Sequence, residues 1–185
     1  MIVTVPNPVL TTPAKPVTSI DRKTIGIVEQ MKKELESQDN PRGVGLAAPQ
    51  IGVSLQIFLT KPTESSPIEV YFNPKIVWTS LSKSEIIRKG EGKSLRKEKR
   101  LEGCLSIPNI WGQLKRPIKV RLSYMDIEGI GREKEFEGFL ATLIQHETDH
   151  LAGILFTRRI LEQNGKLFRI EEDEKGEEKL VPVEL

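Results

Sequence analysis

FLATLIQHETDHLAG, residues 139–153, decides how this chain is read. Phe139, Leu143, Ile144 and Leu151 recur at helical spacing and cover one side, so the stretch predicts an amphipathic helix. Gly153 sits where a helix stop belongs. The chain holds two histidines in 185 residues, and both stand here, His146 and His150, with Glu147 beside them. Residues four apart on a helix point the same way, with Cβ atoms about 5–6 Å apart. Two imidazoles so placed can reach one metal ion, at roughly 2.0–2.1 Å if it were zinc. Glu147 need not ligate. It can face a water activated at the ion and accept its proton. Two buried histidines without partners would be costly.

A catalytic metal usually has three protein ligands and an open position. One metalloprotease pattern puts a third histidine six residues after the second, but Phe156 stands there. Glu162 and Glu171 are available further on. The remaining soft donor is the single cysteine, Cys104, in LEGCLSIPNIWG (101–112), bracketed by Gly103 and Pro108. A thiolate is a strong ligand for zinc or iron(II). Cys104, His146 and His150 would leave a fourth position open for water.

Outward from that helix, Ile25, Val28, Met31 and Leu35 predict a second amphipathic helix over 21–37, with Ser19 and Asp21 as candidate caps. LQIFLT (55–60), IEVYF (68–72) and KIVWTS (75–80) read as strands, and IKVRLSYMD (118–126) with REKEFE (132–137) reads as a hairpin. GVGLAAPQIG (43–52) fits neither template. The expected class is α+β, with short, mainly antiparallel strands packed around a central metal-binding helix. One domain over 1–185 is expected. With one cysteine no internal disulfide can form, so a reducing, cytoplasmic setting is expected. No signal peptide and no apolar run long enough for a bilayer is seen. A net charge of +2 gives no global push toward DNA or membrane.

Three stretches, GVGLAAPQ (43–50), EGCLS (102–106) and QHETDH (145–150), occur in the order found in peptide deformylases, and from about residue 6 to 160 the chain resembles that family. The resemblance implies an enzyme that removes the formyl group from the N-terminal methionine of new polypeptides. It implies a metal held by Cys104, His146 and His150: iron(II), with zinc, nickel or cobalt as substitutes. Glu147 would be the general base, and Gln50 and the Leu105 backbone N–H would bind the formyl oxygen. Val44, Phe139 and Leu143 match positions of the methionine pocket, Gly45 and Gly103 would offer main-chain groups to an extended peptide, and Gly43 is counted with them among the substrate-binding residues. Read without the family, Gln50 would be a solvated loop residue, and Phe139 and Leu143 plain core. A metallopeptidase built on the same helix, or a non-catalytic peptide- or ribosome-binding relative, are the alternative functions.

Two segments depart in composition. Residues 83–100 hold eight Lys/Arg against three Asp/Glu, a basic insertion that reads as a solvated loop or as a contact for ribosomal RNA. From 162 to 185 the chain is an acidic tail or hairpin; residues 171–185 hold seven acidic against two basic residues. Trp111 stands where several relatives carry a basic or small residue, which would alter preference at the second or third peptide position.

Overall fold

Asp21 accepts the N–H of Thr24 at 2.9 Å and so starts α1, Arg22–Glu36, as an N-cap should. Val28, Met31 and Leu35, at the predicted spacing, are buried together with Thr24, while Ile25 of the predicted stripe is half-buried. The structure is a computed structural model that describes residues 1–39, 42–86, 101–172 and 178–183. After α1 come β1 (Gly45–Ala47), β2 (Ile57–Thr60), β3 (Glu69–Thr79), β4 (Lys83–Ser84), β5 (Glu102–Cys104), β6 (Ile107–Gly112), β7 (Arg116–Pro117), β8 (Lys119–Met125) and β9 (Gly131–Glu137). The chain continues with α2 (Gly138–Leu151), α3 (Phe156–Glu162), β10 (Leu167–Glu172) and β11 (Glu178–Pro182).

Among the described residues the strands form three sheets, ordered β1-β2-β3-β8-β9, β11-β10-β6-β5 and β4-β7. Every pairing between these strands is antiparallel. The α+β class read from the sequence therefore holds. The β8–β9 hairpin forms as expected, its turn fixed by Asp126, whose Oδ1 accepts the N–H groups of Glu128 and Ile130.

Three details differ from the sequence reading. The runs at 68–72 and 75–80 belong to one strand, β3, with a register shift between Phe72 and Lys75 that absorbs Asn73 and Pro74. GVGLAAPQIG becomes the short β1 followed by a 3-10 turn over Ala48–Ile51. α2 buries far more than one side: ten of its residues are buried, including Thr142, Gln145 and Asp149. It packs on β1 and β2. Ala141, Ile144 and Leu151 join Phe58, Tyr71, Val120, Leu122 and Phe136 in one apolar cluster. Its other side meets the β5–β6 sheet, where Cys104 borders a cluster of Ile107, Leu114, Phe156, Ile160 and Leu167.

Of the basic insertion, residues 87–100 lie outside the described residues. At the C-terminal end β10 and β11 pair from Phe168↔Pro182 to Glu172↔Glu178. No helix among the described residues is long and apolar enough to cross a membrane.

Candidate metal centre

α2 presents His146 and His150 on one face, with ring centroids 4.9 Å apart. β5 delivers Cys104 to the same point from the other sheet, with Sγ 3.1 Å from His150 Nε2. One ligand atom from each of Cys104, His146 and His150 lies within 4.8 Å of the others. Glu162, the alternative third ligand, instead pairs with Arg158 and Arg159. Glu171 lies on β10 and is no part of this cluster.

The donor set suits a divalent ion. His146 Nδ1 is hydrogen-bonded to Glu102 Oε1 at 2.7 Å, which leaves Nε2 to face Cys104 and His150. Burial alone would raise the Cys104 thiol, but the charge and hydrogen bonds of His150 and His146 outweigh it and lower the thiol to about 5. The sulfur is therefore in its ligand form, the thiolate, at neutral pH. Burial opposes protonation of His146, yet Cys104 and Glu102 raise it well above the usual imidazole range.

Glu102 is a partner that the sequence reading passed over. Arg116 grips its carboxylate at both oxygens, Nε to Oε2 at 2.9 Å and Nη2 to Oε1 at 2.8 Å. Arg116 Nη1 also reaches Asp149 Oδ2 at 2.8 Å, and Asp149 accepts from Arg159 Nη2 at 2.8 Å. Burial pushes the Glu102 carboxyl up, but Arg116 and His146 together bring it down to about 2. Glu102 and Asp149 sit inside the quoted motifs and could have been suspected there. Arg116 lies in no motif, and no local pattern points to it.

Glu147, 2% exposed, stands beside the cluster, and burial raises its carboxyl to about 7 despite the two imidazoles. Its Oε2 is buried without a hydrogen-bond partner. A Cβ on Gly45 would strike this carboxylate and the Leu143 methyl at 2.6 Å, so only glycine lets β1 approach α2 so closely. Gln50 is no solvated loop residue, being 2% exposed. Its Oε1 accepts the Ala47 N–H at 2.8 Å, which turns Nε2 toward Ser106 Oγ at 3.2 Å and Cys104 Sγ at 3.5 Å.

One cleft gathers the remaining candidates. Gly43, Val44, Gly45, Gln50, Gly103, Cys104, Leu105, Trp111, Phe139, Leu143, His146 and Glu147 all line it, along with Arg42, Ile86, Glu102 and Thr142. β1 forms one wall and β5–β6 the other. The Trp111 ring packs over Gly103, where a Cβ would meet ring atoms at 2.7 Å.

Known proteins resemble this chain in sequence and in fold. The family profile described as polypeptide deformylase matches residues 1–166. The chain is 38% identical over 155 residues to a peptide deformylase of Halothermothrix orenii, covering 84% of this chain and 89% of that protein. It is 36% identical over 162 residues to one of Mesorhizobium japonicum, covering 86% and 82%. The crystal structure of the Thermotoga maritima peptide deformylase superposes with a TM-score of 0.72 at 32% identity, covering 86% of this chain and 95% of that one. The Synechococcus elongatus enzyme, solved in complex with actinonin, gives 0.73 at 35% identity, covering 89% and 81%. With the profile spanning nearly the whole chain and relatives this similar across most of their length, the chain belongs to the polypeptide deformylase family.

Proposed function

We propose that this enzyme hydrolyses the formamide of N-formylmethionyl peptides, releasing formate, at a site where Cys104, His146 and His150 hold one divalent ion. The observation that carries the reading is the convergence of the only cysteine and both histidines around the unpartnered carboxylate of Glu147. The ion, when bound, supplies Lewis acidity that makes a water nucleophilic at neutral pH. Iron(II) is the assignment, with zinc, nickel or cobalt as substitutes.

The chain's own residues do the rest. Glu147, with its carboxyl near 7, takes a proton from the attacking water as the oxygen closes on the formyl carbon. Charge then grows on the formyl oxygen. Gln50 Nε2 and the Leu105 N–H donate to it, and one such donor is typically worth about 3–4 kcal/mol. Glu147 hands the proton to the departing amine, the C–N bond breaks, and formate leaves. Val44, Phe139 and Leu143 take the methionine side chain. Gly45 and Gly103 pair with the peptide main chain as an added strand would, Gly43 lines the same cleft, and Trp111 borders the residues that follow.

The test is formate release from formyl-Met-Ala-Ser set against acetyl-Met-Ala-Ser and the unblocked peptide, with anaerobically prepared protein and metal quantified. Hydrolysis of the formyl peptide alone is expected. Cleavage of an internal peptide bond would favour a metallopeptidase, and bound metal without turnover a peptide-binding relative.

Formylated chains arise where translation begins, so the cytoplasm is the proposed site of action. Residues 83–100 are proposed to contact ribosomal RNA. Supporting this is the segment's excess of positive charge, eight Lys/Arg against three Asp/Glu. Deleting 87–100 should weaken ribosome association and flatten its salt dependence while sparing hydrolysis of a tripeptide; unchanged binding would end the idea.

A further inference from the structure

Of the described residues that line the cleft, Arg42 is the only exposed one. The other charged residues there, Glu102, His146 and Glu147, are buried in its floor. Of the acids in the last turn of α1, Glu34 pairs with the N-terminus and Glu36 with Lys61 at 3.0 Å. Asp39 faces Arg42 across an isolated backbone bridge but forms no ion pair with it. Among the described residues, then, the Arg42 guanidinium has no ionic partner.

Resting on the deformylase reading, we infer that Arg42 selects peptides with a carboxylate at the second or third residue and disfavours those with a cation there. Glu147 packs against Gly45, so the formyl end of a peptide lies at that end of β1. A peptide paired antiparallel to this edge then runs back past Val44 and Gly43 toward Arg42. Each residue advances it by about 3.3 Å. The three positions from Gly45 to Arg42 bring the second or third peptide residue beneath the guanidinium. A guanidinium offers paired N–H donors matched to a carboxylate, and an ammonium in the same place meets like charge. The pairing is solvent-exposed, so the effect is modest and salt-sensitive.

The test is competition in one vessel between C-terminally amidated formyl-Met-Ala-Glu-Ser and formyl-Met-Ala-Lys-Ser, and between the pair with Glu or Lys second. The ratio of kcat/KM is read from formate and from each deformylated product. The expected ratio is about fivefold in favour of Glu in at least one pair at low ionic strength, shrinking in 0.5 M salt. Arg42→Gln should bring it near one, and Arg42→Glu should invert it. Both peptides meet the same enzyme, so any loss of folded protein cancels. A wild-type ratio of one in both pairs overturns the proposal. So does an acid preference that survives Arg42→Glu, which would place its source elsewhere on the chain. Absence of formate from every peptide would remove the underlying hydrolysis itself, a failure distinct from hydrolysis without discrimination.

Discussion

Glu102, hydrogen-bonded to the His146 ring, and Glu147, next to His146 in the chain, are almost equally buried and are driven in opposite directions. Burial raises both carboxyls. Glu102 meets the fixed fork of Arg116 as well as the His146 ring, and falls to about 2. Glu147 has only the charges of the two imidazoles against its burial, keeps one oxygen unpartnered, and rises to about 7. Burial supplies the same push in both places, and a bound guanidinium decides which way the group ends. The result is one permanent anion that holds a ligand ring and one carboxylate able to take and return a proton near neutral pH.

The hardest blow to this contrast is Glu147→Gln. Removing the proton carrier should cut kcat for formyl-Met-Ala-Ser by about a thousandfold while metal per chain stays the same. A near-normal rate would strip Glu147 of its role. Next is Arg116→Leu, which leaves the Glu102 and Asp149 carboxylates buried without their main partner. Denaturant unfolding should show a loss of about 3–5 kcal/mol, part of it recovered by adding Glu102→Gln. Glu102→Gln alone should weaken metal affinity by about 10–100-fold, measured by chelator competition, with turnover restored at saturating metal.

Stability against pH sharpens the contrast further, because the two groups should give opposite slopes in the metal-free protein. The folded value for Glu102, about 2, lies below its ordinary 4.5. Its stabilisation is therefore present above pH 4.5 and lost as pH falls toward 2. The folded value for Glu147, about 7, lies above 4.5, so the unfolded chain releases that proton first and stability declines as pH rises from 4.5 to 7. Urea midpoints should show Glu102→Gln losing the acid-side fall and Glu147→Gln losing the neutral-side decline. Matching profiles in the two variants would contradict the contrast. The smallest effect is expected for Ser106→Ala, which removes one contact from the Gln50 amide. It should cost tenfold or less in kcat, since the Ala47 N–H still orients Gln50.

Local pattern made α1, α2 and the β8–β9 hairpin readable, because each repeats its apolar residues over several turns or pleats. β3 read as two strands because Asn73-Pro74 looks like a break. In the fold Asn73 takes φ 48, and its amide brackets the Val17 backbone at 2.7 and 2.8 Å, so the chain passes through a bulge and goes on. α3 went unread. Phe156, noticed only as the missing third histidine, is fully buried at the start of α3, with its ring centroid 6.0 Å from that of His146. His146, Glu147 and His150 were legible because helical spacing alone aims them. Cys104 needed a chemical argument, and Gln50 needed the family. The Glu102–Arg116–Asp149 bridge joins three distant parts of the chain, and no periodicity in a sequence encodes such a meeting.

X-ray absorption at the metal edge of the zinc-loaded protein reads directly whether one ion is held by one sulfur and two imidazoles. One sulfur at about 2.3 Å and two nitrogens at about 2.0–2.1 Å are expected, with the sulfur lost in Cys104→Ser. A spectrum of the wild-type protein with only nitrogen and oxygen neighbours would contradict that ligand set.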